Sequence, residues 1–66
     1  MDIGKSIRIG LANKNESKTW LAKKLGVTPQ YIGQFCNGVK EPKLKTVKIM
    51  ADIFGVTASE FIKWGE

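Results

Sequence analysis

Sixty-six residues make one small domain, 1–66, with a modest core. A lone cysteine, Cys36, and the absence of histidine exclude a disulfide framework, a zinc cluster and histidine-based catalysis. Eleven Lys and Arg against six Asp and Glu leave a net charge of +5, which points to a polyanion partner.

The first helix is expected over 2–14, with Ile3, Ile7 and Leu11 as its inward stripe. Gly10 lies inside that helix, where a glycine costs about 1 kcal/mol relative to alanine. A close helix crossing would explain it. Asn15 is a left-handed stop. The second helix starts at Ser17 as N-cap, turns Leu21, Ala22 and Leu25 inward, and ends at Gly26. Val27 plugs the turn into the core. The third helix has Thr28 as N-cap and Pro29 at its first position, where the missing N–H costs nothing. Ile32, Phe35 and Cys36 face inward, and Asn37-Gly38 ends it. After a turn through Pro42, a fourth helix is expected over 43–54, with Leu44, Val47, Met50, Ala51 and Phe54 buried. Thr57-Ala58-Ser59-Glu60 is a capping-box pattern that opens a fifth helix, whose Phe61 and Ile62 close the core. No stretch alternates as a strand does, so the fold class is all-α.

Residues 17–38 carry the functional signal: a short helix, a tight turn and a second short helix. This is the layout of a helix-turn-helix, which sets one helix into the major groove of DNA. Ala22 is small so that the two helices can approach, and Gly26 supplies the positive φ of the turn. With Ile32, Phe35 and Cys36 inward, Gln30, Tyr31 and Gln34 face outward. A glutamine amide offers one donor and one acceptor, which matches the major-groove edge of adenine. Ten of the eleven cations are lysines, suited to phosphate as point charges; Arg8 is the only arginine.

The motifs Ser17-Lys18, Leu21-Ala22, Leu25-Gly26-Val27-Thr28, Ile32, Asn37-Gly38, Pro42 and Met50 through Thr57 stand in order along nearly the whole chain. Together they resemble the Cro and phage-repressor type of helix-turn-helix regulator. The resemblance implies a compact five-helix, lambda-repressor-like DNA-binding domain with its helix-turn-helix at helices 2 and 3. It implies base reading by Gln30, Tyr31 and Gln34, and backbone contact by Ser17, Lys18, Thr28, Asn37, Lys40 and Lys43. It further implies a double-stranded DNA operator as partner and no cofactor. The lack of histidine and of a carboxylate pair in a cleft speaks against an enzyme, and the small core with an apolar patch suggests a weak homodimer strengthened on DNA. The expected location is the cytoplasm of a bacterial or phage-infected cell, at the nucleoid; neither a signal peptide nor an apolar run of membrane-spanning length is seen in the sequence. Two departures stand out. Many relatives pair a glutamate at the Cys36 position with an arginine at the Leu11 position, and both residues are apolar here. Replacing a buried ion pair by packed apolar groups is often neutral or stabilising, so Cys36 reads as core. Pro29 removes one contacting side chain and puts more weight on Gln30 and Gln34.

Trp20, Ile49, Ile53 and Trp64 do not fit a simple core. They are read either as rim residues, with Trp20 against the first helix, or as a surface for self-association or a second regulator protein. The latter motivates an alternative function, an antirepressor or antitoxin that keeps the fold and binds a repressor or toxin.

Overall fold

The computed structural model describes residues 2–66. Its elements are five helices in the order α1 (Ile3–Lys14), α2 (Lys18–Leu25), α3 (Pro29–Cys36), α4 (Leu44–Phe54) and α5 (Ala58–Lys63). Capping side chains define most of the starts. The Asp2 carboxylate accepts from the Lys5 N–H at 3.0 Å, and the Ser17 hydroxyl accepts from the Trp20 N–H at 3.3 Å. The Thr28 hydroxyl accepts from the Tyr31 N–H at 3.2 Å, and the Thr57 hydroxyl from the Glu60 N–H at 3.1 Å. Each bond satisfies a donor that the first helical turn leaves without an intrahelical partner. α4 differs: its N-cap is Lys43, whose side chain has no acceptor to offer.

α1, α2 and α4 end by a shared device. Asn15, Gly26 and Gly55 adopt left-handed backbone, at φ 55°, 76° and 75°. The next residue's N–H then reaches back to close the last turn: Glu16 to Leu11, Val27 to Ala22 and Val56 to Ala51, at 2.9–3.0 Å. Val27 and Val56 are half-buried and pack on the core at these corners.

α1 packs on α3 and α5, α2 on α3 and α4, and α4 on α5. The core between them holds Ile3, Ile7, Leu11, Leu21, Ala22, Ile32, Phe35, Cys36, Val47, Met50, Ala51, Phe54 and Phe61. Leu25 and Ile62 are half-buried at its rim rather than fully enclosed. The glycine inside α1 has the close crossing that its position predicts. A Cβ at Gly10 would stand 2.9 Å from the Phe54 ring, closer than real side chains approach.

Around that ring the aromatic side chains gather. Phe54 stacks on Phe61 at 5.7 Å with 17° between the planes. Trp64 meets both edge-on, at 6.2 and 5.9 Å, and Trp20 lies 6.2 Å from Phe54. Both tryptophans are half-buried. The aromatic neighbour of Trp20 is therefore Phe54, on α4.

α4 begins at Leu44, within a residue of the expected start, with Lys43 as the flanking cap. One expectation about its buried face needs correction. Leu44 itself is 62% exposed rather than part of the buried face. Its Cα–Cβ bond leans toward the helix N-terminus, so a first-turn side chain projects past the end of the core that Val47, Met50, Ala51 and Phe54 cover.

Candidate nucleic-acid interface

α3 is eight residues long and divides cleanly by face. Ile32, Phe35 and Cys36 are buried. Gln30 and Gln34 are exposed, one turn apart on the opposite side, and Asn37 at the C-cap continues that exposed row. Tyr31 sits on the flank between the faces and is half-buried. Its ring lies edge-on to Phe35 at 4.9 Å, and the Lys40 ammonium stands 4.8 Å from its centroid.

The helix is anchored at both ends. At its start, Thr28 and Pro29 set the first turn. At its end, Gly38 is left-handed at φ 75°, and the N–H groups of Val39 and Lys40 both donate to the Gln34 carbonyl, at 3.0 and 3.2 Å. The loop that carries Lys40 is thus fixed to the same residue that presents an amide outward.

α1 holds the same end from behind. The Arg8 guanidinium donates to the Cys36 carbonyl at 3.0 Å. A cation there also faces the negative end of the α3 dipole. One turn earlier in α1, a Cβ at Gly4 would stand 2.6 Å from that carbonyl, so only glycine lets the two backbones meet. The arginine of α1 therefore bonds a backbone oxygen of α3, while Leu11 and Cys36 pack as apolar core. Burial pushes the Cys36 thiol above its ordinary value, partly opposed by the positive charges of Lys18 and Arg8.

The backbone candidates are all at the surface. Ser17, Lys18, Thr28, Asn37, Lys40 and Lys43 are exposed. The Ser17 and Thr28 hydroxyls accept a bond from their own helices, which leaves each hydroxyl proton free to donate to a phosphate oxygen. Charge concentrates in the same stretch. Residues 17–48 carry seven lysines and one carboxylate, Glu41, whereas residues 49–66 carry one lysine and three carboxylates. The net positive charge therefore belongs to the helix-turn-helix, the loop after it and the first turns of α4.

Sequence reasoning missed Arg8, Gly4 and Val39. Arg8 and Gly4 stand one turn apart on α1, a pairing that could have marked a helix crossing with a cation beside it. Val39 is 75% exposed between Gly38 and Lys40, an apolar residue left on the loop surface. Of the other surface candidates, Ile49 is 42% exposed on α4 and Ile53 is half-buried. Among the described residues no helix is long and apolar enough to cross a membrane, and no group of three or more His, Cys, Asp or Glu could hold a metal.

No curated protein and no solved structure gives a significant match to the chain. A family model described as helix-turn-helix matches residues 13–61, most of the chain and all of α2 through α4. The chain therefore belongs to the helix-turn-helix family of DNA-binding regulators.

Proposed function

We propose that this protein is a sequence-specific repressor of the Cro type, which binds a palindromic operator as a dimer with α3 in the major groove. The observation that carries the reading is the outer face of α3. Two exposed glutamine amides one turn apart, Gln30 and Gln34, stand on a helix anchored at both ends, inside the lysine-rich part of the chain. Glutamine can bond the N6 and N7 edge of adenine in two places at once. Ser17, Lys18, Thr28, Asn37, Lys40 and Lys43 supply phosphate contacts, which set register and affinity without reading sequence. Two copies of α3 would enter successive major grooves about 34 Å apart. Occupancy of the operator excludes polymerase, and no chemical step is required.

Selection of bound duplexes from random DNA tests this directly. The expected product is an inverted repeat with adenines in each half-site and centres about 10 base pairs apart. Binding of all duplexes alike would overturn the sequence-specific reading. No shift at low salt, with a second protein co-purifying, would favour an antirepressor or antitoxin whose partner covers Ile49, Ile53, Trp64 or Trp20.

A further inference from the structure

Tyr31 stands at the edge of the proposed reading face, yet its ring is already engaged. Phe35, which is buried, holds it edge-on at 4.9 Å, and the Lys40 ammonium lies 4.8 Å from its centroid. That distance is within the range where a cation is attracted to an aromatic face. The Lys40 backbone is fixed as well, because its N–H donates to the Gln34 carbonyl at 3.2 Å. A flexible lysine is thus held at two points, by its own backbone and by a ring rooted in the core. A free lysine loses side-chain entropy when it settles on a phosphate, and a lysine already held loses less.

We infer that Tyr31 is a positioning residue: its ring holds the Lys40 ammonium beside α3 to meet a DNA phosphate, and Tyr31 reads no base. This rests on the DNA-binding reading above and assigns a role within it. The aromatic face is what matters, so the hydroxyl is dispensable. Base selectivity is left to Gln30 and Gln34, and Tyr31 contributes affinity on any sequence through Lys40.

The test has one arm without DNA and one with it. In the free protein, the Lys40 ε-methylene protons should resonate upfield of those of Lys45. The shift should persist in Tyr31→Phe and vanish in Tyr31→Leu, which keeps an apolar contact for Phe35. On DNA, Tyr31→Phe should bind the selected site and a random duplex within about twofold of wild type. Tyr31→Leu should weaken both by about two- to fivefold. Lys40→Met should weaken both and flatten the salt dependence by about one unit. Adding Tyr31→Leu to Lys40→Met should cost nothing further. A change of base preference in Tyr31→Phe, additive losses in the double variant, or unshifted Lys40 resonances would each overturn the inference. If wild type binds no duplex at low salt while the upfield shift persists, the DNA-binding reading itself fails and this role fails with it. Wild-type binding with altered selectivity in Tyr31→Phe sinks the positioning role alone.

Discussion

Cys36 and Arg8 show how single residues fix the angle of α3. The Cys36 side chain fills core while its carbonyl takes a hydrogen bond from Arg8, so one residue joins α3 to α1 in two ways. Arg8→Met keeps much of the side-chain stem and removes the bond. It should cost about 1 kcal/mol of stability in urea unfolding, since the guanidinium is largely exposed and water screens its charge. The thiol gives a pH prediction. Its folded value is raised above the ordinary 9.0, chiefly by burial. The unfolded chain therefore loses this proton first as pH rises. The thiol's contribution is fully present below pH 9.0 and is lost as pH climbs through the folded value. Thermal unfolding across that range should show stability falling on the alkaline side, and Cys36→Ser or Cys36→Ala should remove that part of the slope. In the native protein at neutral pH, Cys36 should resist alkylation until the fold opens. Rapid labelling under native conditions would show that the thiol is accessible.

At the scale of elements, helix ends were the most legible part of the chain. Ser17, Thr28 and Thr57 cap as their hydroxyls dictate, and Asn15, Gly26 and Gly55 turn left-handed where a helix must stop. These are local effects, settled within four or five residues. Contacts between distant segments were less legible. Leu44 obeys the helical period, yet it lies in the first turn and points past the core. Trp20 looked anomalous because its neighbour, Phe54, is far away in sequence. The Arg8 bond to Cys36 spans 28 positions and ends on a backbone atom, so the Gly4–Arg8 spacing hints at a crossing but does not name the partner. Within α3, Gly33 has open space where a Cβ would stand and no positive φ, so nothing in the fold requires glycine there. Gly33→Ala should stabilise the protein by roughly 0.5–1 kcal/mol through the lower conformational freedom of the unfolded chain. A rise in the urea midpoint with unchanged slope checks this; a fall would reveal a steric demand at that position.

For the molecule as a whole, the charge division matters more than the total. Seven lysines against one carboxylate over residues 17–48 put the excess positive charge in α2, the loop after α3 and the start of α4, and residues 49–66 are net negative. If about five phosphates are neutralised per monomer, log affinity should fall against log salt with a slope of roughly −4 to −5. A slope near zero would show that the lysines stay in solvent. The candidate site was legible in the sequence at the level of faces, because buried Ile32, Phe35 and Cys36 leave Gln30 and Gln34 outside. The engagement of Tyr31 by Lys40 and Phe35 was not, since it depends on how the loop after α3 folds back.

In the proposed mode of binding, glutamines on α3 select the sequence while lysines around it supply affinity. The most direct measurement compares wild type, Gln34→Ala and Lys18→Ala on the selected duplex and on a random one, each across a salt series. Gln34→Ala should lose about 1–3 kcal/mol on the selected duplex and little on the random one, with its salt slope unchanged. Lys18→Ala should weaken both alike and flatten the slope by about one unit. Equal losses on the two duplexes for Gln34→Ala would contradict the account, because α3 would then hold DNA without reading it.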